Sequence, residues 1–148
     1  NIRELAEHSI EGVVRPENVS ISITDDSTNP QAMLDIEQMT QVITNLIKNA
    51  IDAMPDGGAI EILLEDTLGD VSITIKDSGT GIRDEDKSQI FEPFFTTKGI
   101  GQGTGLGLAT AYGIVKMHKG QISVESNTDT TRGPTGTSFK ILLPRGKE

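Results

Sequence analysis

Ala59-Ile-Glu-Ile-Leu-Leu-Glu65 is followed, past a short turn around Gly69-Asp70, by Val71-Ser-Ile-Thr-Ile-Lys76. Both runs carry the β-branched, alternating residues of strands, and the turn between them is too short for a crossover. The pair is therefore antiparallel, which excludes a pure βαβ winding. Upstream, Ile36 to Met54 holds the longest helical periodicity of the chain, with Asp35 placed to cap it and Pro55-Asp56-Gly57-Gly58 to end it. Before that, Ile2 to Val14 puts Ile2, Leu5, Ala6, Ile10 and Val13 at helical spacing, Arg15-Pro16-Glu17-Asn18 breaks the pattern, and Val19 to Thr24 alternates as a strand. Downstream, Ser78 to Gly103 keeps no long period, although Asp84 to Phe91 suits a short helix. A helix from about Gly105 to Lys119 follows, then strands near Gln121 to Ser126 and Ser138 to Leu143, separated by the polar tract Asn127 to Gly136. This order predicts an α+β two-layer sandwich, with a mixed sheet of about five strands and three main helices on one face. The long loop is of the kind that serves as a lid.

A chain of 148 residues supports one core, so residues 1–148 are expected to form one domain. Aromatic residues make up 3% and tryptophan is absent, which leaves the core to Ile, Leu, Val, Met and Ala. The absence of cysteine excludes disulfides, thiolate metal ligation and cysteine nucleophiles, and fits a reducing compartment, by default the cytoplasm. A net charge of -9, from 13 basic against 22 acidic residues, argues against a nucleic-acid or anionic-lipid surface. No apolar run approaches a membrane span. The chain opens on Asn1 directly into a helical pattern, so a piece of a longer protein is expected, whose own membrane topology stays open.

Gly99-Ile-Gly-Gln-Gly-Thr-Gly-Leu-Gly107 places five glycines at alternate positions just before an apolar helical stretch. Alone, such a run favours a linker. The interleaved Ile100, Thr104 and Leu106 and the regular spacing suit a phosphate-binding loop instead, with backbone N–H groups and a helix N-terminus facing the anion. Neither a Rossmann nor a P-loop register fits.

On the predicted helix Ile36 to Met54, one arc carries Ile36, Met39, Ile43, Leu46, Ile47, Ala50 and Met54. The opposite arc carries Gln38, Gln41, Asn45, Lys48, Asn49 and Asp52. A solvated face explains the polar arc; so does a ligand, since asparagine is a mediocre helix former. A carboxamide oxygen is a hard, neutral ligand suited to Mg²⁺ bound chiefly by phosphates and water. It cannot take a proton from water, so such a site would hold Mg-ATP with slow hydrolysis. Asp77, closing the strand that begins at Val71, can accept from the adenine amino group and repel the guanine carbonyl, or simply open an Asp-Ser-Gly turn. Phe91, Phe94 and Phe95 suit core packing or lid anchoring. Lys98 is a phosphate contact or a surface lysine, and Thr137 either reaches the adenine edge through water or merely favours its strand. His8 and His118 lie in no nucleophile–base constellation.

Taken together, Asn45-Leu-Ile-Lys-Asn49-Ala-Ile-Asp52-Ala-Met, Asp77-Ser-Gly79-Thr-Gly81-Ile82, Phe91-Glu-Pro-Phe94 and Gly103-Thr-Gly105-Leu-Gly107-Leu resemble, in order, the N, G1, F and G2 boxes of sensor histidine kinases. The resemblance covers nearly the whole chain and implies the catalytic ATP-binding domain of the GHKL superfamily, with the Bergerat α/β sandwich and an ATP lid. The wording Asn-Ala-Ile-Asp-Ala-Met and Phe-Phe-Thr-Thr-Lys is most similar to kinases of the nitrogen-regulation type. It implies ATP and Mg²⁺ as cofactors, with Asn49 the main metal ligand and Asn45 assisting; Asn45 and Lys98 are the catalytic candidates. The nucleotide-facing set it implies is Asn45, Lys48, Asn49, Asp52, Asp77, Gly79, Gly81, Ile82, Phe94, Lys98, Gly101, Gly103, Thr104, Gly105, Leu106, Gly107, Leu108 and Thr137. Asp52 departs from the Lys or Arg that many relatives carry near the phosphates. His8, followed by Ser-Ile-Glu-Gly, does not match the phosphoacceptor box.

The expected activity is transfer of the γ-phosphoryl group of Mg-ATP to a histidine on a separate dimerisation domain of the same parent protein. A response regulator would act as indirect partner and the fragment itself would be monomeric. Alternatives are a serine kinase of the anti-sigma-factor type, a nucleotide-sensing module without transfer, and an ATPase of the gyrase or Hsp90 kind. The last needs a glutamate where this chain has Asn45.

Overall fold

The computed structural model describes residues 1–92 and 107–145. Its elements are α1 (Ile2–Glu11), β1 (Val19–Asp25), α2 (Ile36–Asp52), β2 (Gly58–Asp66), β3 (Asp70–Asp77), α3 (Asp84–Lys87), α4 (Gly107–Met117), β4 (Gln121–Asn127) and β5 (Gly136–Pro144). The sheet order is β1-β2-β3-β5-β4. β1 and β2 are parallel, as strands joined through the α2 crossover must be, and every other pairing is antiparallel. The mixed five-stranded sheet and the hairpin read from Ala59 to Lys76 both stand.

Strict alternation turns one face of the sheet inward. Ile60, Ile62 and Leu64 of β2, Val71, Ile73 and Ile75 of β3, and Phe139, Ile141 and Leu143 of β5 are all buried there. α2 lies between α1 and α4 over this face and buries Met39, Val42, Ile43, Leu46, Ile47 and Ala50. At roughly 1.5–3 kcal/mol for each large apolar side chain buried, these residues supply most of the drive to fold.

The structure departs from the sequence reading in several details, among them two helix boundaries and one burial assignment. α1 stops at Glu11, where Gly12 N–H bonds back to His8 O and Val13 N–H to Ile10 O; Val13 still packs on the core while Val14 is exposed. The short helix covers only Asp84–Lys87. Those four residues are all charged and offer no apolar stripe, and it is Ile90, just beyond, that is buried. Ile36, assigned to the apolar arc of α2, is 68% exposed, because the first helical residue sits before the turn that reaches the core; Val42 is buried instead. Asp35 caps α2 as expected, accepting from Gln38 N–H at 2.9 Å.

One fold-holding cluster has no counterpart in the sequence reading. Arg145, just past β5, donates from Nη1 to the carbonyls of Asn29 and Gln31 (2.7 Å each). Its Nη2 donates to Thr67 O and Asp66 Oδ2 (2.7 Å each), and its Nε to Leu68 O at 3.0 Å. All five guanidinium protons are thereby used. Thr28 and Asn29 N–H groups also donate to Asp66, at 2.9 Å each, and together these donors hold its carboxyl down at about 2.

Candidate functional site

Where β3 ends and β5 begins, the inward face changes character. Asp77, Thr137 and Ser126 stand side by side on β3, β5 and β4, in line with Ile60 of β2. An apolar row thus becomes polar across the sheet.

Asp77 is 4% exposed. Its Oδ1 accepts from Gly79 N–H at 2.9 Å and Thr137 N–H at 3.2 Å, and Oδ2 takes neither bond. Burial pushes the carboxyl above the ordinary aspartate range, with the two N–H donors pulling the other way. A buried carboxylate with one oxygen committed to the backbone is poised to accept at the other.

The turn after Asp77 is shaped by the close approach of α2. A Cβ on Gly79 would meet Ala53 O at 2.6 Å, and Thr80 N–H donates to that same carbonyl at 3.3 Å. Gly81 has φ +85°, and a Cβ there would strike the Asn127 carbonyl. Ile82, half-buried, anchors the turn's far side by donating its N–H to Ser126 Oγ at 2.6 Å.

α2 brings its polar face to the same place. Asn45, Asn49 and Asp52 lie on successive turns, and Ala53 at the end touches the Gly79 turn. Asn45 Nδ2 donates to Gly107 O at 3.2 Å, so this carboxamide is tied to the start of α4. The half-buried side chain of Asn49 makes no hydrogen bond among the described residues. Lys48 and Asp52 are exposed, and Leu108 is half-buried one residue into α4. Phe91 packs against Tyr112 (centroids 5.3 Å) and edge-on to Phe139 (6.2 Å), which makes it a core anchor beside the site.

The structure therefore brings Asn45 to Gly107, and Asp77 to Gly79, Thr137 and the end of α2. Phe94, Lys98, Gly101, Gly103, Thr104, Gly105 and Leu106 lie outside the described residues. His118 is structural: its Nδ1 faces Ile114 O at 2.9 Å while Nε2 accepts from Asp35 N–H at 3.1 Å, which fixes the Nδ1–H tautomer and joins the end of α4 to the start of α2. Sequence reasoning missed Ser126, although a serine completing the inward series Ile122, Val124 was a readable signal.

Among the described residues no three His, Cys, Asp or Glu side chains are grouped to hold a metal. A cage made wholly of protein carboxylates is thus not offered here. A cation held by one or two carboxamides, with phosphates and water completing its shell, fits the uncommitted Asn49 side chain.

The family model described as histidine kinase-, DNA gyrase B-, and HSP90-like ATPase matches residues 34–147. Sporulation kinase A of Bacillus subtilis is 43% identical over 111 residues, covering 75% of this chain and 17% of that protein. Sensor histidine kinase ZraS of Escherichia coli K12 is 35% identical over 147 residues, covering 97% and 30%. The chain thus spans less than a third of these curated relatives. Among solved structures, the nucleotide-free catalytic domain of histidine kinase ThkA superposes with TM-score 0.82 at 33% identity, covering 98% of this chain and 95% of that one. ThkA in complex with the response regulator protein TrrA gives 0.75 at 31% identity, covering 98% and 39%.

Proposed function

We propose a function from one premise: the chain belongs to the histidine kinase-, DNA gyrase B- and HSP90-like ATPase family, an ATP-binding family, and within it is similar to sensor histidine kinases. On this reading it is the catalytic domain of such a kinase. It binds Mg-ATP and delivers the γ-phosphoryl group to a histidine on a dimerisation domain of the same parent, for onward passage to a response regulator. Its use of ATP implies the cytoplasmic compartment; among the described residues no helix is long and apolar enough to cross a membrane.

The observation that carries the proposal is the pairing of Asp77 with Asn45. The inner oxygen of Asp77 is held by two backbone N–H groups, so its outer oxygen is fixed in place to accept the adenine amino group and to reject a 6-oxo purine. Asn45 stands beside the N-terminus of α4 with its amide donating to Gly107 O. It can orient a phosphate or a water but cannot take a proton, so the bound nucleotide is kept from solvent attack and reserved for another acceptor. Asn49, with Asn45 assisting, would hold Mg²⁺, which when bound neutralises phosphate charge. Gly79 and Gly81 let main chain close against α2 and β4, and Thr137 completes the adenine end. Gly107 and Leu108, with Lys48, Asp52, Ile82 and the residues from Phe94 to Leu106 singled out above, are the remaining contacts proposed. Catalysis would come from positioning and charge stabilisation rather than from a protein base.

The test is autophosphorylation of the full-length parent with labelled ATP. Acid-labile phosphohistidine is expected, and its loss in Asn49→Ala with the domain still folded. Phosphoserine on a partner, rapid ATP hydrolysis by the domain alone, or binding without any transfer would each overturn the reading.

A further inference from the structure

Ser126 Oγ has three polar neighbours: Ile82 N at 2.6 Å, Gly136 O at 3.0 Å and Thr137 Oγ1 at 3.0 Å. A hydroxyl has one proton and two lone pairs. The amide N–H of Ile82 can only donate, so it occupies one lone pair. The carbonyl of Gly136 can only accept, so it takes the one proton of Ser126. The second lone pair of Ser126 is then all that remains for Thr137, whose own proton must be given to it. Thr137 Oγ1 is left with lone pairs alone for anything else it meets.

From this count, and resting on the adenine reading above, we infer that Ser126 is a specificity-determining positioning residue that turns the Thr137 hydroxyl into a pure acceptor. Thr137 is directly opposite Asp77 on the same face, and its N–H holds the inner oxygen of that carboxylate. Two acceptors, one charged and one neutral, then stand at the end of the sheet. The 6-amino group of adenine has two protons and satisfies both when it meets them directly. The 6-oxo group of inosine or guanine offers lone pairs to each. Without Ser126 the Thr137 proton is free to rotate toward an incoming carbonyl, and the neutral acceptor's share of the discrimination is released.

The same serine ties Ile82, on the far side of the Gly79–Gly81 turn, to the β4–β5 pair, so a purely architectural role is the competing account. The two differ in what they predict for two nucleotides that share a triphosphate. ATP and inosine triphosphate are titrated, with Mg²⁺, against the wild-type domain, Ser126→Ala, Ser126→Thr, Thr137→Val and the Ser126→Ala/Thr137→Val double variant, with thermal melts of each. The expected result is a fall of about threefold to tenfold in the ATP:ITP affinity ratio for Ser126→Ala, the size of one neutral hydrogen bond. Ser126→Thr should restore the ratio. Thr137→Val should lower it alone, and Ser126→Ala should change nothing further in that background.

Equal losses of ATP and ITP affinity in Ser126→Ala would overturn the inference and leave an architectural role. Should that variant fail to fold, an unchanged ratio in Thr137→Val overturns it equally. If the wild type shows no preference for ATP, or Asp77→Asn leaves the preference intact, the adenine reading itself has failed and this inference falls with it.

Discussion

Replacing Asp77 by Asn separates what this residue does for the fold from what it is proposed to do for a nucleotide. The amide oxygen can take over the bonds from Gly79 and Thr137 N–H, and those two donors fix the flip, because the NH₂ group would meet them donor to donor. The outer atom then becomes a donor facing where an adenine amino group would sit. Loss of a hydrogen bond to a charged acceptor costs about 1.5–3 kcal/mol, or roughly 10- to 150-fold in ATP affinity, and the donor–donor clash adds to it. Stability should move the other way. Burial raises the Asp77 pKa in the folded state, so the native form holds its proton more tightly than the unfolded chain. The wild type is then at no disadvantage below the ordinary aspartate pKa and loses stability as pH rises through the raised one. The substituted carboxamide stays neutral throughout, so the variant should melt above the wild type near neutral pH and converge with it in acid. Fluorescent-nucleotide titration and thermal melts at about pH 4 and about pH 8 read both effects. A variant that binds ATP within about twofold of wild type, or melts below it at the higher pH, would refute the reasoning.

Thr40 Oγ1, on α2, is buried without a partner among the described residues, so Thr40→Val should raise the urea midpoint by an amount worth about 1 kcal/mol; a lower midpoint would mean that the hydroxyl has a partner. Asp66, held at about 2 by Thr28, Asn29 and Arg145, contributes stability that is present above the ordinary carboxylate pKa of 3.8 and lost as pH falls toward 2. Asp66→Asn should therefore be less stable than wild type at neutral pH, with the gap in denaturation midpoint narrowing below about pH 4; a gap independent of pH would refute the assignment.

Periodicity made most of this fold legible because the sheet buries one face only. The strands alternate in the main, Ser72 of β3 being a buried exception, and α2 separates Met39, Ile43 and Leu46 from Gln38, Asn45 and Asn49. Asp77 was legible as a strand-ending acid before two spaced glycines, and Asp35 as a cap. What escaped depends on segments distant in the chain. Arg145 meets residues 29–31 and 66–68, and no local pattern announces that convergence. Nor was His118 legible as the acceptor for Asp35 N–H, 83 residues away. Ile36 was misplaced because a helical wheel says which side a residue is on, not whether the neighbouring layer extends that far.

Asp66 and Asp77 contrast an acid that holds the fold with one proposed to hold a nucleotide. Both stand on the inward face, at opposite ends of the β2–β3 hairpin, Asp66 across from Val71 and Asp77 across from Ile60. Asp66 is half-buried and Asp77 buried, and their partners separate them further. At Asp66 the Thr28 and Asn29 N–H groups and the Arg145 guanidinium converge, and the pKa falls. At Asp77 two N–H groups share one oxygen, no cation among the described residues answers the charge, and the pKa rises. The first arrangement lowers the free energy of the folded chain as it stands. The second leaves a charge short of hydrogen bonds, which folding tolerates and a bound donor would relieve; on the proposed reading, affinity for that donor and the cost to the folded domain would have one source. A ligand with a proton-bearing amino group should accordingly lower the Asp77 pKa as it binds, and its affinity should weaken as pH falls into the range where Asp77 takes up a proton.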